Sequence, residues 1–160
     1  MVDPDQPGLW ERVEGTHRGL PEACGCFVFG VRTGGGQKPW YVGQANKRAF
    51  RHEVFADHKL KYYTDVVLNQ ERGSPVVYLV ARSTPTQRLS RPSEVGYRDI
   101  DALELILIGQ ALRRNPDLCN KKATRLYRDM MVHGVMNSAP GNRGTSALGL
   151  RLMMGIGEDP

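Results

Sequence analysis

Two short runs rich in β-branched and aromatic residues, Cys26-Phe27-Val28-Phe29-Gly30-Val31 and Trp40-Tyr41-Val42, stand on either side of the triple glycine Gly34-Gly35-Gly36. Such runs favour extended strands, and a flexible turn between them brings the chain back beside itself, so the pattern predicts an antiparallel hairpin. The glycines do not read as a phosphate cradle, because no Gly-Lys-Ser or Gly-Lys-Thr follows them. A third strand is expected over Val76–Val80, after the break at Ser74-Pro75.

The rest of the chain reads as helix and loop. Asn46 is placed to cap a helix over Lys47–Phe55, with Phe50 and Val54 one turn apart on its buried side. Asp57 is placed to cap a second helix bearing Leu60, Tyr63, Val67 and Leu68. A polar, proline-containing loop is expected from Ser83 to Ser93. A strongly apolar helix then runs from Gly96 to Asn115 and stops at Pro116. Further helices are expected over Ala123–His133 and Ser146–Met154, with a loop at Asn137–Thr145. The order predicts an α+β fold, a small three-stranded antiparallel sheet flanked by helices. In this reading residues 1–23 form an acidic, partly loose leader with Leu9, Trp10 and Val13 as a docking point. Residues 24–137 form the main domain, and residues 138–160 a loop and short helix packed on it.

A chain of 160 residues suffices for one core. No apolar run approaches the roughly 20 residues of a membrane span, and no basic start precedes an apolar stretch, so neither a membrane nor a secreted protein is expected. Three scattered cysteines, Cys24, Cys26 and Cys119, argue against a disulfide scaffold and for a reducing cytoplasm. They have no zinc-like spacing with His52 and His58 either. Cys24 and Cys26 are expected to pack as small hydrophobes, and the methionines near residues 130 and 153 as core or oligomer contacts.

The net charge is +5, and it is uneven. Residues 1–24 carry five acids against two arginines. Residues 38–61 carry six cations (Lys38, Lys47, Arg48, Arg51, Lys59 and Lys61) against two acids. Residues 110–128 carry Arg113, Arg114, Lys121, Lys122, Arg125 and Arg128 against Asp117. Two basic blocks on a small protein are the electrostatic footprint of a phosphate-rich partner, with a merely solvated basic surface as the alternative.

Glu104 is the residue the helical pattern does not accommodate. Ile100, Leu103, Leu107 and Ile108 surround it at helical spacing, and an ionised carboxylate among them costs several kcal/mol unless compensated. Three compensations are open: an exposed polar stripe shared with Asp101, a buried arginine partner, or a hard divalent cation.

Taken in order, these residues resemble the GIY-YIG nuclease superfamily, named for two strand motifs that precede an Arg, a Glu and an Asn. Gly25-Cys26-Phe27 stands at the first motif, and Tyr41-Val42-Gly43 is similar to the second. Arg51 falls ten positions after Tyr41, and Glu104 and Asn120, the latter following Pro116, stand at the later positions. The resemblance spans about Gly25–Lys122, and the stretch Phe55–Tyr63 looks like small stand-alone bacterial members.

The resemblance implies metal-dependent hydrolysis of DNA phosphodiesters. Glu104 would hold one Mg²⁺ or Mn²⁺ ion, Arg51 would stabilise developing charge, and Tyr41 would orient or deprotonate water. His58 or Lys59 would be an auxiliary proton or phosphate contact, and Asn120 a structural clamp beside Phe27 and Gly43. Backbone phosphates would meet Lys47, Arg48, Lys59, Lys61, Arg113, Arg114, Lys121 and Lys122. The chain departs from the pattern at Phe27, where the family has a phenol, and its hairpin is longer than the family's. Without that phenol the alternative is a DNA-binding module that no longer cuts. A third reading is an adaptor using the acidic leader and the methionine-rich end.

Overall fold

The computed structural model describes residues 8–56, 59, 61, 64, 73–129 and 144–154. The chain divides into two compact units, residues 1–120 and 121–160. The first contains α1 (Leu9–Thr16), β1 (Gly25–Thr33), β2 (Gly36–Ala45), α2 (Phe50–Glu53), β3 (Ser74–Ala81) and α3 (Arg98–Arg114). The second contains α4 (Thr124–Asp129) and α5 (Thr145–Met153). None of the described helices is long and apolar enough to cross a membrane.

The three strands form an antiparallel sheet in the order β2-β1-β3, giving the α+β arrangement that the sequence pattern predicts. Thr33 pairs with Gly36 around the two-residue turn Gly34-Gly35, so the strands run right up to the glycines. The pairing shifts between Phe29, which faces Tyr41, and Gly30, which faces Pro39, leaving Trp40 as an extra residue in β2. That bulge accommodates Pro39, which has no N–H for a ladder, and Pro75 is the second residue of the edge strand β3, where a proline is also tolerated.

Alternation along the strands sorts the side chains onto two faces. On one, Phe27 and Phe29 pack with Ala45, Phe50 and Val54, joined by Tyr41, Val77 and Leu79. Phe29 stacks on Tyr41 at 5.9 Å and on Phe55 at 6.0 Å between ring centroids. On the other, Cys24 and Cys26 pack against Ile100 of α3, with Tyr97, Leu103 and Leu107 around them. Both thiols are buried and unpaired with one another, as small apolar fillers.

From residue 9 the leader forms α1, and Trp10, within the expected docking point, packs edge-on against Phe55 with centroids 6.3 Å apart. Two local expectations after β2 are corrected. Asn46 does not cap the helix after it. Its carboxamide accepts the Tyr97 N–H at 2.7 Å and donates to the Tyr97 carbonyl at 3.0 Å and to Asp101 at 3.1 Å. The helix predicted from residue 47 therefore starts only at Phe50, where the N–H groups of Phe50 and Arg51 donate to the carbonyls of Ala23 and Pro21. Chain from the leader supplies what a side-chain cap would have supplied. Of the helix expected after Asp57 only Lys59, Lys61 and Thr64 are described, each in helical conformation, and the residues Met130–His133 and most of the loop at 137–145 lie outside the described residues.

Candidate functional site

The second strand motif is the centre on which distant residues converge. Val42 lies on the free side of β2 and is fully buried. The Asn120 side chain, 78 positions away, accepts the Val42 N–H at 2.8 Å and donates to the Val42 carbonyl at 2.7 Å. The Cys119 N–H donates to the Trp40 carbonyl at 2.8 Å, and Asn115, wholly buried, donates to the Pro39 carbonyl at 2.7 Å. Residues 115–120 thus satisfy the edge of β2 largely with carboxamides, in place of a fourth strand.

Gly43 follows Val42 and faces the ring of Phe27. A Cβ built on Gly43 would lie 2.4 Å from the ring's Cζ, so the aromatic end of Phe27 occupies the space a side chain would need. The motif glycine is explained by that approach rather than by backbone conformation. Tyr41 is half-buried on the same face, its ring centroid 6.3 Å from that of Phe27.

Lys59 is the largest surprise of the first basic block. Its side chain is buried, and Nζ lies 4.9 Å above the Phe27 ring, donates to the Gln44 carbonyl at 3.1 Å and pairs with Glu53 at 2.6 Å. An ammonium taken out of water requires such partners, so this one is committed inside the protein and is not a solvated phosphate contact. Glu53 also faces Arg48, at 3.9 Å. Neither Glu53 nor the Gln44 carbonyl is foreshadowed by the sequence pattern.

Glu104 is buried, on the stripe of α3 that also buries Ile100 and Ile108, so the exposed polar stripe is the compensation the structure removes. Asp101, one turn earlier, is exposed and held by Asn46. The Asn46 clamp fixes the start of α3 on the end of β2 and thereby sets the helical phase that directs Glu104 at the sheet. Gly96, at φ 73°, allows that approach: a Cβ there would meet the Asn46 carboxamide at 3.1 Å. The carboxylate sits on the side of the sheet to which Cys26 points. Burial, and then the charges of Glu104 and Asp101, push the Cys26 thiol up to about 12. Burial likewise raises Cys24, against a lowering by Arg82.

Arg51, on α2, turns its guanidinium to Glu22, with Nε 2.9 Å from the carboxylate. Both side chains are partly exposed, and with Glu14, Arg18, Leu89 and Arg91 they line a cleft of about 480 Å³. The structure therefore brings Phe27, Tyr41, Gly43, Lys59 and Asn120 together on β2, directs Arg51 toward Glu22, and brings Glu104 to the sheet from the Cys26 side. His58 lies outside the described residues.

Lys47, Arg48 and Lys61 are exposed, as are Arg113 and Arg114 at the end of α3. Lys121 and Lys122 are also exposed but belong to the second compact unit, so the block counted over residues 110–128 is divided between the two units. Among the described residues no three His, Cys, Asp or Glu side chains gather as a metal cluster. A Mg²⁺ site needs fewer protein ligands than that, since the ion keeps waters and takes substrate phosphate oxygens beside one or two carboxylates. The buried oxygen donor of Glu104 fits such a site in chemical type. No family model, curated protein or solved structure matches this chain.

Proposed function

We propose that this protein is a metal-dependent DNA endonuclease of the GIY-YIG type, hydrolysing phosphodiesters with one divalent ion. The observation that carries the reading is the convergence on Tyr41–Gln44. Phe27 caps Gly43, Asn120 brackets Val42, and Lys59 holds the Gln44 carbonyl, although these residues are far apart in sequence. Three of the motif positions, Phe27, Gly43 and Asn120, are thus neighbours around β2, while Arg51 is held by Glu22 and Glu104 approaches from the Cys26 side. The buried carboxylate of Glu104 on α3 is an oxygen donor of the type a hard divalent ion takes, which supports the same reading.

Glu104 would hold Mg²⁺ or Mn²⁺, which when bound polarises a phosphoryl oxygen and stabilises the leaving oxygen. Arg51 presents a planar, permanently charged fork to phosphoryl oxygens once Glu22 releases it. Tyr41 orients the attacking water with its hydroxyl, a role that needs no full deprotonation. The exposed Lys47, Arg48 and Lys61 add backbone contacts that carry no sequence information, so cleavage would have weak intrinsic specificity.

Plasmid nicking in Mg²⁺ or Mn²⁺ tests the reading. Wild type should nick, and Glu104→Ala and Arg51→Ala should each lower the rate about 100- to 1,000-fold. Cleavage that survives Glu104→Ala removes the metal mechanism. The second reading, a DNA-binding module without turnover, is favoured by Phe27, whose buried ring brings no hydroxyl to the site. Salt-sensitive DNA binding by a wild-type chain that does not cut selects it, and activity gained by Phe27→Tyr identifies the missing phenol as the cause.

A further inference from the structure

Two arginines of the first unit have no part in the chemistry above. Arg18 follows α1, Arg91 lies in the loop before α3, and both line the cleft that Arg51 enters. Neither guanidinium makes a hydrogen bond or ion pair among the described residues. Both carboxylates of the cleft, by contrast, are engaged: Glu14 accepts the Gly19 N–H at 2.8 Å, and Glu22 pairs with Arg51 at 2.9 Å. Ala23, nearly inaccessible, and Leu89 give the cleft apolar lining. Three guanidiniums and two engaged carboxylates therefore line a space of about 480 Å³. That is room for a tetrahedral anion, with two cationic forks to receive it.

The cleft wall is also fixed to the helix that bears Arg51. The Phe50 and Arg51 N–H groups donate to the Ala23 and Pro21 carbonyls at 3.0 and 3.1 Å, so the turn bearing Glu22 is tied to α2. The Glu22–Arg51 pair is open to water, with side-chain exposures of 44% and 37%, and a pair so solvated is easily exchanged for another anion. Carboxylate and phosphate offer the guanidinium fork the same paired oxygens.

We propose that this cleft is a phosphate site for the DNA backbone. Arg18 and Arg91 hold a phosphodiester next to the one that is cut, and Glu22 occupies Arg51 until that phosphate displaces it. The identity of the ligand rests on the nuclease reading; the cleft's preference for a phosphate anion does not.

The test is fluorescence anisotropy of the full chain with a short DNA duplex in EDTA, repeated over a range of salt. Arg18→Ala/Arg91→Ala should weaken binding about tenfold and flatten the plot of log affinity against log salt by about 0.9, the value of one phosphate contact. Glu22→Gln should tighten binding about threefold. Both arginines are exposed, so circular dichroism should show an unchanged fold. A double variant that keeps wild-type affinity and slope overturns the site while leaving the nuclease reading intact. If the wild type neither binds nor nicks DNA, the nuclease reading fails, and calorimetry with inorganic phosphate then decides the cleft. Phosphate binding that disappears in the double variant supports it, and no binding by wild type overturns it. Preference for a poly-glutamate peptide over duplex DNA also overturns it, assigning the cleft to carboxylates.

Discussion

On one face of the sheet Phe27, Phe29 and Tyr41 pack with Phe50 and Phe55, whereas on the other Cys24 and Cys26 meet Ile100 and the helix that carries Glu104. The aromatic face is held by apolar contact, with Lys59 admitted at its margin only because Glu53 and a carbonyl receive its charge. The opposite face keeps a carboxylate close enough to two small thiols to perturb one of them. Apolar burial alone accounts for the first face, whereas the second also buries the charged Glu104, which apolar burial disfavours. The two faces meet along β2, where residues from both sides and from the 115–120 segment converge.

The sharpest test of this contrast is alkaline stability. A thiol ionises near pH 9.0 when unperturbed, but folding raises Cys26 to about 12, through burial first and then Glu104 and Asp101. The fold therefore gains from keeping this thiol neutral. That gain is fully present below about pH 9 and is lost as pH rises through about 12, because the unfolded chain releases the proton first. At about 1.36 kcal/mol per decade of proton affinity, the loss across that window is at most about 4 kcal/mol. Denaturant unfolding between pH 8 and 11 should show wild type losing stability faster than Cys26→Ala. Parallel curves would mean that the second face is no more hostile to charge than water.

Much of this was legible in the sequence, for identifiable reasons. Strand alternation and the glycine turn gave the hairpin, because periodicity and turn chemistry are local. Glu104 stood out because a charge among leucines and isoleucines is anomalous whatever the tertiary structure. The fates of Lys59, Asn46 and Arg51 were not legible. Each looks like an ordinary polar residue in its own segment, yet Lys59 is buried against Glu53, Asn46 is spent on Tyr97, and Arg51 is engaged by Glu22. Charge counting treats the residues of a basic block alike, and partners brought in from elsewhere in the chain distinguish them. The ordering of the leader from residue 9 is likewise invisible in its own pattern, since its support comes from Phe50, Arg51 and Phe55.

The boundary itself is tested at Asn120. Replacing it with Ala removes both hydrogen bonds to Val42 and leaves a buried N–H and carbonyl without their partner. The expected cost is about 2–4 kcal/mol, since each stranded group forfeits about 1–2 kcal/mol. Amide hydrogen exchange at Val42 should accelerate accordingly. An unchanged exchange rate would show that β2 holds its edge without the clamp.

The smallest expected effect is the most specific to the aromatic face. Gly43→Ala places a methyl where the Phe27 ring already lies, 2.4 Å from Cζ, while Gly43 needs no left-handed conformation that alanine would resist. The cost is therefore overpacking alone, about 1–3 kcal/mol. If so, shortening the ring should relieve it. Phe27→Leu by itself opens space and destabilises, but in the Gly43→Ala background part of that space is filled, so the double variant should be more stable than the sum of the single losses predicts by about 0.5–2 kcal/mol. Thermal or denaturant unfolding of the four chains measures that coupling. Strict additivity would mean that Phe27 does not rest on Gly43, and the motif glycine would then need a reason other than the ring.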